Sequence, residues 1–338
     1  MGVTTMQDVA DRAGVSIATV SYVVNGTKAV TPATRAKIEA AMADLNFQRN
    51  RAARALAIRR TQNLALVYPA LERRLGATSV EFLTSAATAA NRSDYHLTLW
   101  PVSNDAVGLK DLLSAGLVDG VLLMEVLLDD PRVTTLRDAG TPFAMIGRTA
   151  DPSGELYADI DFDATVSAAL DRLESLGHRY VALIGERGGT GALPGYGPQV
   201  RTDEAFARLV AERGLRSVTV GCEQTASAGS DITQQLLAEH PEVTAILVRN
   251  EQATLGVMVG VRQAGLRVPD DVSVIALGTT GDISTMSSPA LTMMQSPGEE
   301  LGRLGVEILV DYLESGTRTP PQLVPCTFLP GASVAPAR

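Results

Sequence analysis

The chain has 338 residues, 45% hydrophobic and 20% charged, with a net charge of −9. Such a length suggests two or three domains and a large core, and no apolar run reaches the roughly eighteen residues of a membrane span. An acidic total by itself argues against nucleic acid, but the charge is split: residues 1–60 carry nine Lys/Arg and four Asp/Glu, a balance of +5, and the remainder carries −14. A basic head on an acidic body fits a nucleic-acid-binding module fused to something else.

Residues 6–26, MQDVADRAGVSIATVSYVVNG, read as two short helices joined by a tight turn at Gly14–Val15, the layout of a helix-turn-helix DNA reader. Thr5 is placed to cap the first helix, with Asp8 three residues on as a capping box. Val9, Ala10 and Ala13 share one face of that helix. Ser16 caps the second helix, Val20, Val23 and Val24 turn inward, and Asn25–Gly26 ends it. Ile17, Ala18, Ser21 and Tyr22 are left on the outer face, where base edges are met in a major groove. For Tyr22, packing on the next helix is the competing reading.

In TPATRAKIEAAMADLN, Thr31 is a natural N-cap and Pro32 a natural first helical residue, with Ile38, Met42 and Leu45 as an apolar stripe. A head of about fifty residues built this way is only marginally stable alone. QRNRAARALAIRR follows, with Arg49, Arg51, Arg54, Arg59 and Arg60 around Leu56. It reads either as a solvated basic linker or as a hinge helix that orders on DNA, arginines on phosphates and Leu56 wedged into the minor groove.

Residues 6–60 resemble the DNA-binding head of the lactose/galactose-repressor (LacI/GalR) family of bacterial regulators, through DVADRAGVSIATVSYVVNG, TRAKIEAAMADLNFQRNRAARALA and Leu56. The resemblance implies a helix-turn-helix domain over 1–48, a hinge helix over 49–60, and a palindromic operator bound by a dimer. It implies DNA contacts from Thr5, Ser16, Ile17, Ala18, Thr19, Ser21, Tyr22, Asn25, Arg51, Arg54 and Leu56. Many members have an arginine at Tyr22 and an aromatic at Ile17, so the docking mode transfers and the operator sequence does not.

From Asn63 onward, apolar runs (LALVYP, HLTLWPV, GVLLM, FAMIG, YVALIG, SVTVG, AILVRN, VSVIALG) alternate with helical segments, in rounds from about 63 to 156 and 157 to 291. That alternation predicts parallel sheets flanked by helices, with a ligand cleft at the carboxyl ends of the strands.

LGHRYVALIG, TAILVRNEQATLGVMVGVRQAGLRVPDDVSVIALG and SPALTMMQSPGEELGRLGVEIL resemble the effector-binding core of the same family, itself similar to periplasmic sugar-binding proteins. The resemblance implies a fold with an all-α helix-turn-helix head and an α/β core of two doubly wound parallel-sheet subdomains, interleaved over 61–338 and serving effector binding and dimerisation. It implies an effector site at Asp161, Arg201, Asn250, Glu251 and Arg148, with a sugar or related polar metabolite as ligand. Departures fall in that site: Phe162 replaces an asparagine, Glu251 an aspartate, and Gly278–Thr279 stand where many members have an aspartate. An unpaired ligand hydroxyl costs roughly 1–3 kcal/mol, so the cleft is the firmer expectation and a regulator with a non-sugar effector, or none, is the alternative.

Bland readings compete at several positions. Arg201 has Asp203 and Glu204 as nearby ion-pair partners, Asn250 could simply cap a helix, and Asp282 could be a solvated loop acid. GERGGTG at 185–191 follows a strand, but its spacing fits no nucleotide motif and a loop at the cleft mouth is expected. His178 in LGHR reads as a capping residue. No Ser-centred elbow, HExxH or paired-cysteine spacing occurs, so no enzyme, metal or cofactor is expected. Cys222 and Cys326 read as free thiols of a cytoplasmic protein, given a start without a secretion signal. A Pro- and Gly-rich stretch over 316–338 without a leucine heptad argues for a dimer over a tetramer. A solute-binding protein with an accidental basic N-terminus is the rival from another class.

Overall fold

A computed structural model describes residues 4–25, 28–45, 47, 60–69, 75–187 and 193–338. It divides into two compact units, Met1–Thr61 and Gln62–Arg338.

Among the described residues, the first unit holds three helices, α1 (Met6–Ala13), α2 (Ile17–Asn25) and α3 (Pro32–Asp44). Val9, Ala10, Val20, Val23, Val24, Ile38 and Ala41 form its apolar centre. Of the predicted inward positions, Val9, Ala10, Val20, Val23, Val24 and Ile38 are buried, while Ala13, Met42 and Leu45 pack at the margin only partly buried. Ala41 joins the centre because it sits three residues after Ile38 on the same helical face.

Among the described residues, the second unit contains two six-stranded sheets. The first has the order β11-β5-β4-β3-β1-β2, built from β1 (Asn63–Tyr68), β2 (His96–Pro101), β3 (Gly120–Leu123), β4 (Phe143–Ile146), β5 (Tyr157–Ile160) and β11 (Gln322–Val324), every pair parallel. Central β1 and β3 are buried on both faces, which is why they read as unbroken apolar runs. One face packs on α4 (Ala77–Arg92) and α12 (Gly298–Ser315), the other on α5 (Leu109–Ser114) and α6 (Pro131–Asp138).

The second sheet has the order β12-β10-β9-β8-β6-β7, from β6 (Tyr180–Glu186), β7 (Arg216–Cys222), β8 (Ala245–Val248), β9 (Ser273–Thr279), β10 (Thr292–Gln295) and β12 (Thr327–Leu329). Only the β10–β12 pair is antiparallel. Helices α7 (Phe162–Ser175) and α8 (Gly197–Glu212) cover one face, and α9 (Ala226–Glu239) and α10 (Thr254–Gln263) the other, with the short α11 (Asp282–Thr285) after β9.

All eight predicted strands form, and the four missed ones are short. The boundary between the two rounds needs correcting. Tyr157–Ile160 belongs to the first sheet, and α12 and the edge strand β11 return to that sheet after the second is nearly complete. The chain thus crosses between lobes at 160–162, 295–298 and 324–327. The carboxyl ends of both sheets face the space between the two lobes.

Candidate DNA interface and interlobe cleft

In the head, the amide of Asp8 donates to Thr5 Oγ1 at 3.3 Å and the amide of Thr5 donates back to Asp8 Oδ2 at 2.7 Å, a complete capping box. These bonds hold the Asp8 carboxyl below its usual range. Gly14 takes φ +65°, a left-handed conformation that ends α1 and suits glycine. Ser16 Oγ accepts from the Thr19 amide at 3.2 Å, fixing the start of α2. Ile17 is 48% exposed although apolar, and Ala18 is exposed beside it. Tyr22 is half-buried outside the head's apolar centre, with the Lys28 ammonium 5.5 Å from its ring centroid. α2 therefore presents exposed, small or apolar side chains on its outer face, with a cation at its edge. The expectations for Arg51, Arg54, Leu56 and the side chain of Asn25 lie outside the described residues.

In the second unit the strand ends enclose a cavity of about 120 Å³. The first lobe contributes Thr78, Ser79, Phe82, Met124, Ile146 and Asp159, and the second Phe162, Glu186, Tyr196, Arg249, Asn250 and Glu251. Both walls mix aromatic or aliphatic surface with a few planar polar groups, the composition of a small-molecule site.

Hydrogen bonds on both sides tie the lobes together across this cleft. On one side, Leu128 N donates to Gly195 O at 2.8 Å and Gly197 N to Val126 O at 3.1 Å, joining the loop after β3 to the loop before α8. The first loop is braced from inside by fully buried Arg132, which donates to Asp130 at 2.7 Å and to the carbonyls of Met124 and Glu125. On the other side, Glu251 Oε1 accepts from Ala77 N at 2.9 Å and from Thr78 N at 3.4 Å.

Asp159 is the most perturbed acid in the cleft. Burial pushes its carboxyl up to about 6, against the pull of Arg148 and Arg201. Arg148 Nη1 stands 3.3 Å from Asp159 Oδ2, close enough to attract but misaligned for a hydrogen bond. Glu81, on α4, is likewise raised, first by burial and then by the charges of Asp282, Glu251 and Glu299. Arg249 stacks over Tyr196 at 5.2 Å, donates to Gln199 at 3.3 Å and faces Glu186 at 3.9 Å.

Asn250 and Glu251 line the cavity together. The Asn250 amide is already engaged, donating to Cys222 O and Glu223 O and accepting from Ala253 N. Asp161 is not at the cavity wall. Its carboxylate caps α7 by accepting from Ala164 N at 2.9 Å. Arg148 and Arg201 stand behind Asp159 rather than on the wall, because residue 201 lies one position off the cleft-facing stripe of α8, where Pro198 and Thr202 face inward. Nor does Arg201 pair with its neighbours Asp203 and Glu204: it donates to Thr149 O at 2.8 Å. Asp282 begins α11 instead of lying in a loop. Sequence reasoning passed over Asp159, Glu186, Tyr196 and Arg249. Glu186 and Arg249 stand at strand carboxyl ends, the one signal that could have found them.

His178 bridges Thr244 Oγ1 and the carbonyl of Ala335, tying down the C-terminal tail, and burial lowers its pKa. Cys222 and Cys326 are buried free thiols, pushed by burial to about 11 and about 12. Among the described residues, no cluster of three or more His, Cys, Asp or Glu could hold a metal ion, and no helix is long and apolar enough to cross a membrane. GERGGTG lies largely outside the described residues.

A helix-turn-helix unit joined to a two-lobed cleft defines a class of ligand-responsive DNA-binding regulator. The family model "Bacterial regulatory proteins, lacI family" matches residues 5–50, and the "Periplasmic binding protein-like domain" matches 170–334. The regulator CelR of Thermobifida fusca is 31% identical over 335 residues, covering 96% of each chain, and catabolite control protein A of Priestia megaterium is 28% identical over 319 residues, covering 93% of each. Among solved structures, a lac repressor dimer bound to operator and the anti-inducer ONPF superposes with a TM-score of 0.83 at 25% identity, over 99% of this chain and 100% of that one. A CelR–cellobiose complex superposes at 0.71 and 26% identity, over 98% and 99%. The chain belongs to the LacI family of bacterial transcriptional regulators, and its relatives are regulators rather than enzymes.

Proposed function

We propose that this protein is a cytoplasmic repressor that binds a palindromic operator as a homodimer and answers to a small polar effector, a sugar, in the interlobe cleft. The observation that carries the reading is the outward face of α2, with Ile17 left 48% exposed on a helix otherwise anchored by buried valines. On this reading Thr5, Ser16, Thr19 and Asn25 seat the helix on phosphates, while Ile17, Ala18, Ser21 and Tyr22 meet base edges. In the hinge, Arg51 and Arg54 meet phosphates and Leu56 wedges into the minor groove. In the cleft, Asn250 and Glu251 face the effector, and Arg148, Arg201 and Asp161 hold the walls behind it. Effector binding changes how the lobes close, and with it the spacing of the two hinges on DNA.

The test is selection from a random duplex pool with the full chain, followed by titration of the winning duplex across salt. A palindromic consensus whose affinity falls steeply over a fivefold rise in salt is expected. Failure to prefer any duplex over random competitor, with and without metabolite extract, overturns the reading. For the effector, cellobiose and ribose should raise the melting temperature. If neither does, Phe162 on the cavity wall favours the second reading, a regulator of the same fold with a non-sugar effector or none.

A further inference from the structure

The sixteen-residue helix α4 begins at Gly76, which has no side chain to cap it and forms no side-chain cap bond. Four amides at such a helix start need acceptors, and the macrodipole places partial positive charge there. The acceptor comes from the opposite lobe. Glu251 Oε1 takes the amides of Ala77 and Thr78 at 2.9 and 3.4 Å, across 174 and 173 positions of sequence. Its Oε2 lies 3.0 Å from where a Cβ on residue 76 would stand, so glycine leaves room for the carboxylate to approach. The base of Glu251 is held firmly, since neighbouring Asn250 is locked by three hydrogen bonds to its own lobe. The contact can exist only with the lobes together.

We propose that Glu251 is an intrinsic latch of the cleft: a carboxylate on the second lobe that caps α4 of the first and ties the two lobes together. A ligand reaching that helix end must displace a seated anion, so Glu251 is a positioning residue that sets which effectors the cleft admits. The latch depends on the geometry of the cleft and not on whether the effector is a sugar.

Amide hydrogen exchange on the full-length protein without added ligand tests this. Ala77 and Thr78 are expected to be protected in the wild type and to exchange roughly tenfold or more faster in Glu251→Ala, with β1 and β6 amides unchanged. Acetate added to Glu251→Ala should restore part of that protection, and Glu251→Gln, which keeps an acceptor, should retain part of it. A merely structural loss would respond to neither. Equal exchange at both amides in wild type and Glu251→Ala overturns the latch. If β1 and β6 also lose protection in Glu251→Ala, Glu251→Asn, one methylene shorter than Gln, takes its place, with the same outcomes deciding.

Discussion

Arg201 on α8 of the second lobe donates through Nη2 to the carbonyl of Thr149 in the first lobe at 2.8 Å, so a guanidinium bridges the cleft behind its wall. The cation also faces Asp159 and holds back the rise in that acid's pKa.

Replacing Arg201 with alanine removes both effects. Lobe closure should weaken by about 1–3 kcal/mol, the usual cost of a lost bond from a charged donor, and Asp159 should titrate at higher pH. Chemical denaturation of the isolated variant and an NMR titration of Asp159 check the two parts separately.

Asp159 itself makes stability depend on pH. Burial pushes its folded carboxyl up to about 6, above the ordinary aspartate value of about 3.8, so the folded state prefers the protonated form. That preference is fully present below about pH 3.8 and is lost as pH rises through 6. Asp159→Asn removes the titration. Relative to wild type, the variant should gain stability between pH 4 and pH 7 by on the order of 2–3 kcal/mol, read as the pH dependence of the difference in melting temperature.

The head depends on few side chains. Ile38 is fully buried at its centre, and Ile38→Ala should cost about 2–5 kcal/mol, enough to unfold so small a unit. Duplex binding should vanish while the main melting transition of residues 62–338 stays in place. Calorimetry with a DNA-binding assay decides it.

Helices α9 and α10 pack with backbone against backbone. A Cβ on Gly256 would stand 1.8 Å from Ala226 O, a contact no rotamer change relieves. Gly256→Ala should therefore force the pair apart and lower stability by about 1–3 kcal/mol or more. The same change at Gly14 meets no neighbour and acts only through its left-handed φ. Parallel denaturation curves of both variants separate packing from backbone strain.

Local chemistry was legible from residue order alone. The caps at Thr5, Ser16 and Thr31, the turn at Gly14, the inward valines of α2 and eight parallel strands all follow from short-range patterns, because capping, left-handed turns and apolar periodicity act within a few residues. What residue order did not supply is which side chains meet across the cleft. Asp161 and Arg201 were expected at the effector and instead cap α7 and bridge to Thr149, while Asp159, silent inside the short strand YADI, became the buried acid. A rotation of one residue along α8 separates Arg201 from Thr202, and only packing of that helix on its sheet determines which of them faces inward. The strands β5, β10, β11 and β12 were missed for a related reason: each is three or four residues long and is held by partners more than ten residues away in sequence. Sequence determined the parts and the chemistry of the head; the three crossings between lobes decided the cleft, because distant charges acquire meaning only once folding has brought them together and removed water from between them.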